Sequence, residues 1–182
     1  SANLFWLEDY ALYMSCKDFH EGRAWLDWAD GYRKPTAPVK KRMKKQFAED
    51  MKFYYFVQFV FHKEWMALKE YANEKEVKII GDIPLFVSMD SADVWANQGL
   101  FQLDSKGYPT SVAGGPPDYF CAEGQLWGNP LYDWKKHKKT GYKWWIARVR
   151  QQLTMCDILR IDHFRGLESY WSVPADEETA IN

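Results

Sequence analysis

Hydrophobic residues recur at three- and four-residue steps in three stretches of the chain, a pattern typical of amphipathic helices. The first stretch, residues 4–20, predicts a helix that ends near Gly22. The second, residues 39–71, contains neither glycine nor proline and predicts one long helix or two. The third, residues 142–153, predicts a helix in the last third of the chain.

Two short apolar runs follow helical stretches and predict strands. Residues 77–82 are rich in β-branched side chains and end at Gly81 and Asp82, as a buried parallel strand would. Residues 156–162 form a similar run that ends at Asp162. Because a helix leading into such a strand is a unit of an α/β fold, the pattern predicts the α/β class.

Between these strands, residues 84–134 are rich in glycine and proline and show almost no periodicity, so we expect a long loop. Residues 90–95 are an exception, because Asp90 and Ser91 can cap a short helix. Residues 114–120 predict a rigid turn that presents Tyr119 and Phe120 outward. Loops this long inside a compact chain are usually functional.

Composition narrows the classes of function. The net charge of −1 argues against a nucleic-acid partner, and the lysine clusters at residues 40–45 and 135–139 read as solvated helix faces. No apolar run is long enough to span a membrane. Three widely separated cysteines predict free thiols in a reducing cytoplasm, and no ligand spacing predicts a metal or other cofactor. Aromatic residues make up 18% of the chain, including ten Trp, which hints weakly at a sugar ligand but fits a large aromatic core equally well.

The candidate chemistry lies at the end of the second strand, where Arg160, Asp162, His163 and Arg165 follow one another closely. Alternation along a strand places Arg160 and Asp162 on one face. Reacting groups in parallel α/β folds gather beyond the carboxyl ends of strands, so this cluster is a candidate active site. A structural ion pair at a strand terminus fits the same residues equally well.

Five blocks of residues carry a resemblance to a known family. They are Trp6-Leu7-Glu8-Asp9-Tyr10-Ala11-Leu12; Ile80-Gly81-Asp82-Ile83-Pro84 with Asp90-Ser91-Ala92-Asp93-Val94-Trp95-Ala96; Gly115-Pro116-Pro117-Asp118-Tyr119-Phe120; Gln125-Leu126-Trp127-Gly128-Asn129-Pro130-Leu131-Tyr132-Asp133-Trp134; and Arg160-Ile161-Asp162-His163-Phe164-Arg165-Gly166. In this order and spacing the chain resembles the 4-α-glucanotransferases of glycoside hydrolase family 77, the amylomaltases or disproportionating enzymes.

The resemblance implies a fold and an activity. The expected fold is part of a (β/α)8 (TIM) barrel with an inserted helical subdomain. Residues 1–75 would form the mainly helical insertion, and residues 76–182 a partial barrel carrying the long aromatic substrate loop 84–134. The expected reaction transfers α-1,4-glucan segments between maltooligosaccharides by a retaining double displacement, with α-1,4-glucans as the only partners.

Carried over by position, the family's site residues fall on the candidate cluster and the aromatic loop. Asp162 matches the nucleophile, and Arg160 would orient it and hold it ionised. The matched substrate-binding positions are Asp82, Asp118, Tyr119, Phe120, Trp127, Asn129 and His163.

The resemblance also implies that the chain is a central piece of a longer enzyme. The acid/base glutamate of the family would lie beyond Asn182, and we expect this piece to be inactive alone and to self-associate through exposed strand edges. Glu168, Glu177 and Glu178 do not match the acid/base motif. Two alternatives remain: a retaining α-glucan hydrolase, and a non-catalytic glucan-binding module.

Overall fold

The computed structural model describes residues 4–181, which form seven helices and five strands within that range. Their bounds, in chain order, are α1 Leu4–Phe19, α2 Asp30–Arg33, α3 Ala37–Gln46, α4 Ala48–Glu74, β1 Ile80–Pro84, α5 Ala92–Ala96, β2 Ser111–Gly115, β3 Gln125–Pro130, α6 Trp134–Lys139, α7 Lys143–Met155, β4 Ile158–Asp162 and β5 Trp171–Pro174. The mixed α/β class predicted from the sequence is confirmed.

The long helical stretch is divided into two helices, α3 and α4, which are separated only by Phe47. The Phe47 backbone leaves the helical region at φ −103° and ψ 22°, and its ring is buried. α4 then packs on α1 and on α7. The interruption is explained by burial of an aromatic ring, which no glycine or proline in the sequence could have indicated.

α4 is apolar on the side that faces away from the protein body. Phe53 and Phe56 are each more than 60% exposed, and Leu68 and Tyr71 further along the helix are also exposed. Met51, at the start of α4, is buried against the body. A helix that exposes a continuous aromatic face departs from the polar-outside pattern of an ordinary surface helix.

β1 and β4 form a parallel pair in which Asp82 lies opposite Arg160 and Pro84 opposite Asp162. β4 ends at Asp162 as predicted, whereas β1 begins three residues later than predicted. The expectation that both strands are fully buried is wrong, because burial alternates along each strand and Ile80 is 66% exposed. α7 packs against both strands, so the helix side is covered and the opposite face is open.

The prediction of a structureless loop over residues 84–134 is wrong over two segments. β2 is the centre of a three-stranded antiparallel sheet in the order β3-β2-β5. β3 crosses Gly114 so closely that a Cβ there would lie 2.6 Å from the Gln125 carbonyl oxygen. The short helix at residues 92–96 is confirmed, with the Ser91 hydroxyl accepting a hydrogen bond from the Val94 amide at 3.2 Å.

The main hydrophobic core contains residues from both predicted segments, 1–75 and 76–182. It includes Leu12 of α1 and Met43 of α3, and it continues through Leu85 and Trp95 to Trp145 of α7. α1 itself packs against α5. The boundary between a helical insertion and a partial barrel therefore stays a prediction, and the two segments share one core.

Asp157, just before β4, joins the end of α4 to both strands. Its carboxylate accepts hydrogen bonds from the Ile79 amide at 2.8 Å, from Lys69 Nζ at 2.6 Å and from Asn73 Nδ2 at 2.9 Å. The Ile79 amide is the largest of several contacts that hold the pKa of Asp157 well below its usual range. Asp157 therefore fixes where β4 begins relative to β1.

We expect Asp157→Asn to lower stability at neutral pH. Because the folded pKa is depressed, the stabilisation from the charged form is present above the unfolded value of about 3.9 and is lost as pH falls below it. Thermal unfolding of the variant should therefore depend less on pH below about pH 4 than that of the wild type. Asp176→Asn, at an exposed position, is the matched control, and an equal effect in both variants would contradict this role for Asp157.

Among residues 4–181, no helix is both long and apolar enough to cross a lipid bilayer.

Candidate active site

The carboxyl ends of β1 and β4 bring two carboxylates onto one arginine. Arg160 Nη2 donates to Asp162 Oδ1 at 2.5 Å, and Arg160 Nη1 donates to Asp82 Oδ2. The contact with Asp162 follows from alternation along β4, as the sequence predicted. The contact with Asp82 follows from the strand register, which places Asp82 opposite Arg160.

All three side chains lie on the open face of the parallel pair. Arg160, Asp82 and Asp162 are 58%, 56% and 54% exposed, so a ligand can approach the carboxylates directly. Exposed ion pairs of this kind contribute little to stability, typically below about 1 kcal/mol. We therefore interpret Arg160 as a residue that orients the two carboxylates and not as one that stabilises the fold.

His163 follows Asp162 and turns the chain away from the strand. Its backbone is left-handed, with φ 53°, and the Gly166 amide donates to its carbonyl at 2.8 Å. Gly166 is buried directly behind the imidazole: a Cβ there would lie 2.8 Å from His163 Cδ2 and 2.2 Å from Leu85 Cδ2. The glycine is required because Leu85 and His163 both occupy the space a side chain would need.

We expect Gly166→Ala to destabilise the protein by about 1–3 kcal/mol, since the added methyl overpacks a site closed by buried Leu85. The imidazole of His163 should move, because it is the exposed one of the two neighbours. Chemical denaturation measures the first effect, and the His163 proton resonances report the second. Gly99→Ala is the control, as a Cβ at Gly99 meets nothing within 4 Å; comparable losses in both variants would refute the packing argument.

Trp127 stands next to His163, although it belongs to the other sheet. It lies on β3, and its ring is 4.9 Å from the His163 ring in an edge-to-face arrangement. Its Nε1 donates to Gln125 Oε1 at 3.0 Å, and the residue is 39% exposed. Trp127 therefore presents a partly open indole beside His163, the residue that follows Asp162, and such a surface suits stacking on a sugar.

Tyr119 and Phe120 are held outward by a turn that Asp118 organises. The Asp118 carboxylate accepts hydrogen bonds from the amides of Phe120 at 2.9 Å and Cys121 at 2.8 Å. Tyr119 and Phe120 are 97% and 94% exposed, and their rings contact each other edge to face. The prediction that Tyr119 and Phe120 point outward is confirmed, and Asp118 shapes the turn that carries them. The rigidity of this turn stays a prediction.

Asn129 makes a structural contact between β3 and the segment that follows β1. Its Nδ2 donates to the Val87 carbonyl at 2.9 Å and so ties β3 to the segment that follows β1. The contact holds the strand that carries Trp127 close to the end of β1. A direct contact between Asn129 and a substrate stays a prediction.

The sequence reasoning missed the residues that hold the end of β1. Arg148 on α7 donates to the carbonyls of Pro84 at 2.7 Å and Leu85 at 3.3 Å, and the buried Tyr132 hydroxyl donates to the same Leu85 carbonyl at 2.7 Å. Arg148 and Asp82 both line a cleft of 730 Å³ that lies between β1 and four helices. In the sequence, Tyr132 stood out only as a member of the block 125–134 that carries the family resemblance.

The site offers carboxylates, a guanidinium, an imidazole and aromatic surfaces. Within the described residues 4–181, no group of three His, Cys, Asp or Glu side chains is placed to hold a metal ion. A carboxylate that is oriented by arginine and open to a ligand can act as a nucleophile or stabilise a developing cation. Aromatic rings nearby suit the flat apolar faces of sugar rings.

Comparison with known proteins places these features in a family. A family profile described as 4-alpha-glucanotransferase, of glycoside hydrolase family 77, matches residues 1–182. The 4-alpha-glucanotransferase of Aquifex aeolicus is 49% identical over 178 residues, covering 98% of this chain and 36% of the relative. The amylomaltase of Streptococcus agalactiae, solved in complex with acarbose, superposes with a TM-score of 0.91 at 40% identity, over 97% of this chain and 36% of that one.

A second solved structure supports the fold alone. The amylomaltase of Corynebacterium glutamicum is 20% identical and superposes with a TM-score of 0.71, over 96% of this chain and 22% of that one. The chain spans about a third of the length of the curated relatives it matches.

Proposed function

The chain belongs to glycoside hydrolase family 77, the 4-alpha-glucanotransferases, and we propose that the whole protein transfers α-1,4-glucan segments between maltooligosaccharides. In this proposal Asp162 is the nucleophile that forms the covalent glycosyl intermediate, and Arg160 orients it. The single observation that carries the proposal is the bridge from Arg160 to both Asp162 and Asp82 on an open strand face.

Retention at the anomeric carbon requires a second carboxyl group roughly 5 to 5.5 Å from the nucleophile, to protonate the leaving oxygen and later activate the acceptor. Asp82 is poorly suited to that task, because its carboxylate is already engaged in an ion pair with Arg160. We therefore assign Asp82 to hydrogen bonding with the sugar. The acid/base glutamate is proposed to lie in a part of the whole protein beyond Asn182.

The aromatic groups divide into two binding surfaces. Trp127 lies against His163, the residue that follows Asp162, and both would contact the sugar at the reacting bond. Tyr119 and Phe120, fully open on their turn, would close over the glucan chain from outside. Both surfaces favour transfer over hydrolysis, because apolar walls exclude water from the intermediate until an acceptor sugar arrives.

We place β1 and β4 in the proposed (β/α)8 barrel. They are parallel neighbours joined by a long connection that includes α7, which covers one face of both, as in a barrel unit. The open face with Asp82, Arg160 and Asp162 would then point into the barrel, at the carboxyl ends of its strands. Cytoplasmic location is also a proposal, supported by three free cysteines in the described residues.

The proposed activity is tested by the products formed from maltotriose. The assay compares this chain with a version extended at both ends to the length of its relatives. Glucose together with chains longer than maltotriose indicates transfer, and shorter sugars alone indicate the hydrolase alternative. Glucan binding without any product from either protein supports the binding-module alternative and refutes the proposal.

We also propose that this 182-residue chain associates with a second copy of itself. Within the described residues, the outer edges of β1 and β4 pair with no other strand, and α4 exposes its aromatic face. Phe53→Ser combined with Phe56→Ser should therefore lower the sedimentation coefficient toward the monomer value. Phe120→Ser, at a still more exposed ring on the turn, is the control, and a monomeric wild-type chain would overturn the proposal.

A further inference from the structure

The short segment 84–86, at the end of β1, lies close to three residues of the candidate site, namely Asp162, His163 and Trp127. Pro84 lies opposite Asp162 in the strand register. Leu85, 1% exposed, fills the space in front of Gly166 and so sets how close His163 can come. The Phe86 ring lies 6.3 Å from the His163 ring and 6.4 Å from the Trp127 ring.

The backbone of this segment is held by side chains from two distant parts of the chain. Arg148 donates to two successive carbonyls, those of Pro84 and Leu85, and Tyr132 donates to the second of them. The planar fork of a guanidinium presents its donors in a fixed geometry that suits two adjacent carbonyls, whereas a lysine ammonium has no such preorganised fork. The segment is therefore fixed in both position and orientation.

Arg148 is itself well fixed. Its guanidinium carbon lies 4.9 Å from the Trp145 ring centre and 5.6 Å from that of Trp144. Trp145 is buried in the main core, so the guanidinium packs against a core side chain. Arg148 contacts neither Asp162 nor Asp82 in the hydrogen bonds that the described residues form.

We propose that Arg148 is a positioning residue, which places His163 and Trp127 for sugar binding by holding the carbonyls of Pro84 and Leu85. Arg148 holds the Leu85 backbone by a hydrogen bond, and the Leu85 side chain packs against Gly166 and so limits the position of His163. The next residue, Phe86, places its ring beside that of Trp127. The binding part of this inference rests on the proposed function. The positioning part rests on the geometry alone and can be tested separately.

The positioning part is tested in the ligand-free chain by nuclear magnetic resonance. The chain has four histidines, so the His163 ring signal can be assigned with the single variant His163→Gln. Labelling with 5-fluorotryptophan gives a Trp127 signal, assigned with Trp127→Phe. Arg148→Met should shift both signals, Arg148→Lys should shift them less, and the His20 signal should stay in place because His20 stacks on Trp28 elsewhere.

Two further variants separate positioning from general stability. Arg150→Met removes an exposed arginine from the same helix and should shift neither signal. Tyr132→Phe removes only the hydroxyl that donates to Leu85, and it should shift the His163 signal as Arg148→Lys does. If Arg148→Met fails to fold, the Arg148→Lys and Tyr132→Phe results decide the question. Unchanged His163 and Trp127 signals in the folded variants, whatever their stability, would overturn the proposal.

The binding part is tested by titration with acarbose, the ligand of the Streptococcus agalactiae neighbour. Arg148→Met should raise the dissociation constant about tenfold, because His163 and Trp127 are no longer held in place to bind the sugar, with Arg150→Met within about twofold of wild type. An acarbose affinity unaffected by Arg148→Met would overturn the binding role. If the wild-type chain binds no acarbose, the binding role is refuted for this chain, whereas the maltotriose assay on the extended protein still tests the proposed function and the resonance shifts still decide the positioning role.

Discussion

Replacing Asp162 by asparagine is expected to abolish glucan transfer by the whole protein, lowering kcat by a factor on the order of 10⁵. The amide keeps the shape of the carboxylate but cannot form the glycosyl ester, so the first half of the double displacement is lost. The folded structure should persist, because Asp162 is more than half exposed and its ion pair contributes little to stability. Product analysis from maltotriose, with thermal unfolding in parallel, measures both quantities.

Glu168→Gln is the matched control for this experiment. Glu168 is an exposed carboxylate six residues further along, outside the motif that carries the acid/base group in the family. Its variant should retain full transfer activity. Transfer activity retained by Asp162→Asn would refute the assignment, and the nucleophile would have to be sought elsewhere.

Replacing Arg160 by methionine is expected to lower transfer activity about 100-fold while changing stability by less than about 1 kcal/mol. Without the guanidinium, Asp82 and Asp162 lose their common partner and are left as two like charges close together. The nucleophile then has no fixed orientation toward the anomeric carbon. Activity should fall mainly through kcat, since the aromatic binding surfaces are untouched.

Two further variants sharpen the Arg160 experiment. Arg160→Lys keeps the charge but cannot donate to both carboxylates from a planar fork, so its activity should lie between those of wild type and Arg160→Met. Arg165→Met removes an exposed arginine from the same polar cluster and should have little effect. Equal losses in Arg160→Met and Arg165→Met would show that net charge, and not the bridge between the carboxylates, is what matters.

The contact between Arg160 and Asp162 could be predicted from the sequence, because residues two apart on a strand share a face. The end of β4 at Asp162, the parallel α/β character and the outward aromatics at 119 and 120 followed in the same way from local patterns. The resemblance then placed Asp82 among the substrate-binding positions. What no local pattern contained was the register of β1 against β4, which makes Arg160 shared between two carboxylates.

The strands β2 and β3 were missed for a physical reason. β2 includes two glycines, which have no side chain to show alternation, and β3 is mostly exposed along its length. Their strand character comes from pairing with each other and, for β2, with β5. The same pairing carries Trp127 to His163, so the sheet and one side of the site were both beyond local prediction.

The sequence by itself determined which residues could carry chemistry and which faces they share, because these depend on side-chain type and on the period of a helix or strand. Only the tertiary structure decided which faces are covered and which backbone groups are held from afar. Two examples are the outward aromatic face of α4 and the hydrogen bonds from Arg148 to the carbonyls of Pro84 and Leu85. Arg148 lies more than 60 residues from those carbonyls, and such a contact depends on how α7 packs against β1, which no periodicity in either segment encodes.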